Sequence, residues 1–329
     1  MSNSLVSLIT PNYNSENFIQ DTWMSIKNQS HQIWEWIIVD DNSTDNSPEY
    51  LRALSKKDNR VKIFKRTLPP QGASTCRNIG IDCAKGDFLM FLDADDLIAS
   101  TCLETRLKLM TDYPQLDFGV FKMQEFHKEI KDSQQIINKL CSDKCNYLSM
   151  FLSYNIPWQT SCPFWRTSFI REKAIRFSEN YQRLQDPEFH TKILLLHNPK
   201  YKVFTDIEPD CYYRQPCRRL NISNIGSIKK TIASIKLYYS EMNHLLTHNR
   251  PEALHYLDNF SINIFHSLLF YTKLPAIKPV AQLYRDMNNI RQITLLSYNK
   301  VMLFAIFNVL GLTFIKGAGV SRLWKILNS

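Results

Sequence analysis

Five consecutive apolar residues, Phe88–Leu92, run without a break into Asp93, Ala94, Asp95 and Asp96. A short apolar run of this kind is what a strand buried on both faces requires, and such strands lie inside sheets covered by helices on both sides. The chain therefore ends a central strand on three carboxylates within four residues. Like charges at that spacing repel, and crowding them is costly unless a cation sits among them. A divalent metal is the natural remedy, so this one segment constrains the fold and its chemistry together.

The residues before it follow a matching pattern. Leu5–Thr10, Trp36–Val39 and Val61–Lys65 are short apolar runs that read as strands, separated by segments of helical periodicity. Phe18, Thr22 and Ile26 share one helical face, Pro48 follows Ser47 as a first-turn proline follows a cap, and Gly86 terminates a helix over Ser74–Ala84. Strands alternating with helices predict an α/β fold built on a mostly parallel central sheet flanked by helices. In open sheets of this kind ligands bind outside the carboxyl ends of the strands. Polar residues gather there: Pro11, Asn12, Tyr13 and Asn14 after the first strand, Asp40–Asp45 after the second, Asp93–Asp96 after the fourth. Asn42–Asp45 reads as turn and cap chemistry, where Asx and Ser side chains most often serve the backbone. Neither a dinucleotide nor a P-loop glycine fingerprint occurs, which argues against NAD chemistry and ATP hydrolysis.

Farther on, Pro157–Phe164 and Asp210–Arg214 read as strands, Glu188–Leu196 as a helix, and the polar stretch Glu125–Gln135 as a solvated excursion. From Ile228 onward the pattern is helical and segmented by prolines. These changes set two expected domains, a catalytic domain over residues 1–223 and a helical region over 224–329.

The ordered segments VSLITPNYN (Val6–Asn14), IIVDDNSTD (Ile37–Asp45) and GASTCRNIGIDCAKGDFLMFLDADD (Gly72–Asp96) resemble family 2 of the glycosyltransferases, with weaker matches at LQDPEF (Leu184–Phe189) and YYRQ (Tyr212–Gln215). The resemblance covers about the first two-thirds of the chain, and several motifs in order are far more specific than a lone DxD. It implies a GT-A fold and transfer of one sugar from a nucleotide-diphosphate sugar, with a UDP-sugar as the family-level preference. It places Pro11, Tyr13 and Asn14 along the nucleoside and Asp40 on the base, where a uracil imide offers a donor to a carboxylate. Asp93, Ala94 and Asp95 match the DxD motif, whose two acids face ribose and a Mn²⁺ or Mg²⁺ ion that bridges the diphosphate. Arg77 and Asn78 match the family's RN pair; Arg77 reads as a charge partner for Asp93 or the diphosphate, or as an exposed helix residue.

The acceptor hydroxyl loses a proton during attack, and Asp186 matches the acid that serves the family as general base in an inverting, single displacement. Followed by Pro187, it is equally a good helix cap. Two departures stand out: Gln185 occupies a position where the family usually has Glu, and Pro216 with Asn221, Ile222 and Ser223 replaces the family's closing motif. The processive QxxRW motif is missing, so one sugar per encounter is expected. Two rival functions are a sugar nucleotidylyltransferase, whose glycine-rich basic N-terminal loop is lacking, and a nucleotide-sugar-binding module that has lost catalysis.

The net charge of +9 is uneven: from Lys273 to the end eight Lys or Arg face a single acid, Asp286. Val301–Ile315 is nearly all apolar and flanked by lysines, short of the ~20 residues of a membrane span. It reads either as an interfacial helix on an anionic membrane surface or as a helix buried on the catalytic domain. The first alternative makes the expected acceptor a lipid-linked glycan rather than a free glycan; nucleic acid is not an expected partner. No secretory signal is visible and the eight cysteines form no CxxC pair, so a cytoplasmic protein with reduced core thiols is expected.

Overall fold

The structure is a computed structural model that describes residues 3–130, 132–141, 145–215 and 225–271, with 282–283, 286–287 and 289–290. Its elements begin with β1 (Val6–Asn12), α1 (Ile19–Lys27), β2 (Trp34–Asp40), α2 (Ser47–Ser55), β3 (Val61–Lys65), α3 (Ala73–Cys83) and β4 (Phe88–Phe91). Then follow β5 (Leu97–Ile98), α4 (Cys102–Asp112), β6 (Phe118–Val120), β7 (Met123–Phe126), α5 (Tyr147–Leu152), β8 (Pro163–Arg166) and α6 (Thr167–Glu172). The last are α7 (Gln185–Leu196), β9 (Tyr201–Val203), β10 (Cys211–Arg214), α8 (Ile225–Asn249) and α9 (Tyr256–Tyr271).

Seven strands form one sheet in the order β3-β2-β1-β4-β8-β6-β9. The pairs β3/β2, β2/β1, β1/β4 and β6/β9 are parallel, while β8 runs antiparallel to both its neighbours. The expected α/β class with a mostly parallel sheet is therefore met. The apolar strand ahead of the acids stands fourth of seven, at the centre, and all four of its residues are buried. A second sheet, β5-β10-β7, lies in the same unit.

Side-chain packing explains why these runs become these elements. Every residue of β2 is buried, and Trp23 of α1 stacks on Trp36 with ring centroids 5.7 Å apart while meeting Trp34 edge-on at 5.9 Å. Helix α3 approaches β1 so closely that a Cβ on Gly80 would fall inside the Ile9 side chain. Arg106 of α4 is fully buried and makes two bonds to Asp210, Nε at 2.8 Å and Nη2 at 2.6 Å, so the chain just before β10 is tied to the helix behind the sheet.

Several expectations need correction. Pro157–Phe164 is not a strand: β8 starts only at Pro163, and the preceding residues turn, with Cys162 N–H donating to Gln159 at 3.0 Å. Trp158 and Cys162 are buried there as side chains of a turn, which hydrophobicity alone does not separate from a strand. Glu125 is no part of a solvated excursion but lies in β7, in register with Tyr213. Cys141 and Cys145 are disulfide-bonded, with Cα atoms 6.2 Å apart, so the cysteines are not all reduced thiols; Cys76, Cys83, Cys102, Cys162 and Cys211 carry no disulfide.

The chain divides into two compact units. The first takes the described residues up to Leu148, Ile156–Asn180, and those from Glu188 to Gln215. The second gathers Ser149–Asn155 and Tyr181–Pro187 with the described residues from Ile225 onward. Within it Tyr238 of α8 stacks on Phe260 of α9 at 5.0 Å, and Tyr154 meets the same ring edge-on at 5.5 Å. The expected boundary near Ser223, Pro216, Asn221–Ser223 and the apolar stretch Val301–Ile315 lie outside the described residues. Among the described residues no helix is long and apolar enough to cross a membrane.

Candidate active site

The carboxyl ends of β1, β2 and β4 meet at one rim of the large sheet, because parallel register sets them side by side. Asn12 and Asp40 are register partners, and the Asn12 amide donates to Asp40 Oδ1 at 2.8 Å. Ser43 Oγ donates to the same oxygen at 2.6 Å, and the Ser43 N–H to Oδ2 at 3.2 Å. Asn12 also reaches Ser47 Oγ at 3.2 Å and accepts from Ser15. This asparagine is the hub of the rim; the sequence places it among the polar residues after the first strand but gives it no role, which only its register with Asp40 reveals. Asp45 serves the backbone as expected of this loop, accepting the N–H groups of Glu16 at 2.9 Å and Ser47 at 3.1 Å, but Ser47 is not the cap ahead of Pro48: it is the first residue of α2, and Asn46 stands at the N-cap.

Asn14 adopts φ +51° and is locked by two bonds, its N–H to Ser43 Oγ at 3.0 Å and its Oδ1 accepting from the Thr44 N–H at 2.8 Å. Pro11, one residue before the end of β1, is partly buried, whereas Tyr13, just after the strand, is 54% exposed. A cavity of about 250 Å³ opens beside the second-strand loop, lined by Asp40, Ser43, Thr44, Arg52 and Lys65 among others. Asp41, next to Asp40, is buried and paired with Arg66.

Gly72 is the N-cap of helix α3, and its φ of +142° is one that no side-chain-bearing residue adopts readily. Arg77 follows, with its side chain 5% exposed, and its Nη2 donates to Asp93 Oδ1 at 2.6 Å. The alternative of an exposed helix residue is thereby excluded. Asn78 turns inward instead: its amide holds Phe177 through N–H···Oδ1 at 2.9 Å and Nδ2–H···O at 3.0 Å, and reaches Glu179 at 3.0 Å.

The acid turn closes with the Asp96 N–H donating to the Asp93 carbonyl at 3.2 Å. Its backbone is pinned by Thr22, whose hydroxyl lies 2.9 Å from the carbonyls of both Ala94 and Asp96. The three carboxylates have different surroundings. Asp93 is 40% exposed and faces Arg77. Asp95 is pushed up to about 6, chiefly by burial and then by the neighbouring Asp93 charge. Asp96 is fully buried, raised well above its ordinary value by burial and then by Asp93 and Asp95, and it accepts the Arg214 N–H at 3.0 Å. The crowding expected of all three is thus eased in part without a cation, at Asp93 by a guanidinium and at Asp96 by a main-chain donor.

Arg214, at the end of β10, was a motif letter without a role in the sequence. Its Nε donates to the Asp95 carbonyl at 2.8 Å and its Nη2 to Asp21 at 3.0 Å, while its guanidinium lies 4.6 Å from the Phe126 ring and 5.2 Å from that of Phe18.

Among the described residues no group of three or more His, Cys, Asp or Glu is placed to hold a metal. The donor set at Asp93 and Asp95 is two hard oxygens, which suits Mg²⁺ or Mn²⁺ held by one or two carboxylates together with substrate phosphate oxygens and water. Asp186 lies in the first turn of α7 and falls in the second unit. Arg218 and Arg219, which the sequence offers either as a clamp for the diphosphate or an anionic acceptor or as exposed loop arginines, lie outside the described residues.

The sequence model of Glycosyl transferase family 2 matches residues 7–176, more than half of the chain. An uncharacterized glycosyltransferase of Haemophilus influenzae is 44% identical over 110 residues, covering 33% of this chain and 44% of that one, so the match spans under half the relative's length. S. aureus TarS, solved with UDP-GlcNAc, shares the fold at TM-score 0.67 and 19% identity, over 98% of this chain and 90% of that chain. The mannosyltransferase PcManGT of Pyrobaculum calidifontis, solved with GDP-Man and Mn²⁺, does so at TM-score 0.51 and 18% identity, over 94% and 88%.

Proposed function

From a chain that belongs to Glycosyl transferase family 2, we propose an enzyme that transfers one sugar from a UDP-sugar to a hydroxyl of a glycan or lipid-linked glycan. The observation that carries the reading is the acid turn: Asp93 and Asp95 follow β4, the central strand, at the carboxyl end that parallel register sets beside β1, and Arg77 pairs with Asp93 there. The fold shared with TarS, which binds UDP-GlcNAc, supports a uridine donor, and PcManGT with Mn²⁺ supports a metal at the two acids. The basic, apolar-centred tail supports an acceptor presented at an anionic membrane surface on its cytoplasmic side.

In this reading Pro11, Tyr13 and Asn14 line the nucleoside, with Tyr13 offering its exposed ring to the base. Asp40 accepts the imide hydrogen through the capacity left by Asn12 and Ser43. Asp93 and Asp95 would hold a Mg²⁺ or Mn²⁺ ion, and Arg77 keeps Asp93 in place while adding positive charge on the same side. Asn78 serves this arrangement indirectly, by fixing the chain at Phe177 against α3. A bound cation supplies neutralisation of the charge that develops on the departing diphosphate, so no general acid is needed there. Asp186 takes the proton of the attacking hydroxyl, and a single in-line displacement inverts the anomeric carbon.

The test is a thermal-shift panel of nucleoside diphosphates with and without Mn²⁺, followed by turnover of UDP-sugars. Selective stabilisation by UDP with Mn²⁺, lost in Asp95→Ala, is expected. Asp186→Asn is expected to keep that stabilisation and lose turnover by at least ~100-fold. Pyrophosphate release in place of UDP release would overturn the transferase reading.

A further inference from the structure

We propose that Gln185, Tyr181 and Glu241 form a positioning relay for Asp186, an inference that rests on the reading of Asp186 as the base. All four residues lie in the second unit. Tyr181–Gln185 is the stretch that delivers the chain into α7, and three bonds hold it. The Tyr181 hydroxyl donates to Glu241 Oε2 at 2.6 Å. The Arg183 N–H donates to Ser234 Oγ at 3.1 Å. The Gln185 side-chain amide donates to the Tyr181 carbonyl at 3.0 Å, closing the stretch on itself. Glu241 and Ser234 both belong to α8, about two turns apart and so on one face of that helix.

Between these anchors Leu184 adopts φ +62°, a left-handed backbone that a branched side chain does not take up on its own. Such a conformation persists where the surroundings over-determine it, and it recurs at functional sites. Here it sets the direction in which the chain enters α7, two residues before Asp186. The relay therefore gives the long helix α8 a task in the reaction: its carboxylate and hydroxyl fix the approach of the base without touching substrate.

The Tyr181 carbonyl gives position 185 a reason to carry an amide. A carboxylate has no hydrogen to give and would set two acceptors against each other, whereas the amide supplies the donor this loop requires. In this chain the amide at position 185 is a matched part of the relay.

The experiment uses the full chain and compares Glu241→Leu, Glu241→Gln, Gln185→Glu and, as a control on the same helix, Lys236→Gln, whose partner is Asp286. Tyr181→Phe removes the same bond with less loss of volume and replaces Glu241→Leu if that variant fails to fold. Amide exchange over residues 181–187 is read by mass spectrometry, together with UDP release from the UDP-sugar that the wild type turns over fastest. Glu241→Leu and Gln185→Glu are expected to accelerate exchange in that segment at least ~10-fold, leaving the β1–β4 segments and stabilisation by UDP with Mn²⁺ unchanged. In both, kcat should fall ~10-fold or more with KM for the donor held, while Glu241→Gln, which keeps an acceptor, recovers most of both readouts. Unchanged exchange in Glu241→Leu, or acceleration spread evenly over the whole chain, overturns the relay and leaves Asp186 as the base. Selective loosening with full turnover overturns the base assignment and the catalytic purpose of the relay with it.

Discussion

Arg214 donates from Nε to the main-chain carbonyl of Asp95 at 2.8 Å, across 119 residues of sequence. The contact joins the small sheet to the acid turn of the large one, since Arg214 closes β10 and its own N–H binds Asp96. A guanidinium makes this possible by offering separate donors in one plane to the Asp95 carbonyl and the Asp21 carboxylate while its face covers Phe126.

Lysine cannot reproduce that geometry. Arg214→Lys is expected to cost about 2 kcal/mol in urea unfolding and to weaken stabilisation by UDP with Mn²⁺ about tenfold, because the turn loses its fixed shape. Asp21→Ala, which removes only a partner that is 58% exposed, should change stability by less than ~0.5 kcal/mol.

Asp95 predicts a pH signature in metal-free buffer. Its folded value, near 6, lies above the ordinary 3.8, so the folded state holds the extra proton between those limits. Stability therefore falls as pH rises through that window and levels off above it. Asp95→Asn removes this penalty: the variant should be more stable than wild type by about 1–3 kcal/mol at neutral pH, with the difference vanishing near the lower limit. The same variant should no longer be stabilised by UDP with Mn²⁺. A wild-type profile that rises with pH between those limits, unaffected by the substitution, would contradict the assignment.

The rim was legible because its chemistry sits in short contiguous runs. The apolar stretch before Asp93 and the polar residues after β1 and β2 announce strand ends whatever the rest of the chain does, and β3 falls on Val61–Lys65 as read. What sequence could not supply is pairing at long range. Leu97–Ile98 is too short to show any periodicity and becomes a strand only against Cys211 and Tyr212. Glu125 looked solvated because its neighbours are polar, yet register with Tyr213 places it in a sheet. Arg77 read either as a partner of Asp93 or the diphosphate or as an exposed helix residue, and only the ion pair decides between them; Asn12 stood among the polar residues of the rim without a role until its amide was seen to bridge two strands.

Arg106 and Asp210 offer a separate check on what holds the small sheet. Arg106→Met leaves the Asp210 carboxylate without its guanidinium in a buried place and should cost about 3–5 kcal/mol in urea unfolding. The double variant Arg106→Met with Asp210→Leu should lose clearly less than the sum of the single losses, since neither charge is then stranded.

The approach of α3 to β1 makes Gly80 sensitive to a single methyl group. Gly80→Ala should destabilise by about 1–3 kcal/mol, because the new Cβ falls on the Ile9 branch. Ile9→Leu in the same chain removes that branch and should restore part of the loss. Additive effects in the four-way comparison would contradict the close contact.

The second unit draws on stretches of chain that leave and re-enter the first at Ser149–Asn155 and at Tyr181–Pro187. No single cut can therefore release either unit whole. Shortening the gene at the apparent helical boundary strands two inserted segments without their helices, so dissection by truncation confuses loss of a domain with loss of folding. Point substitutions and chimaeras that exchange all the matching segments together are the tools suited to such an interleaved chain.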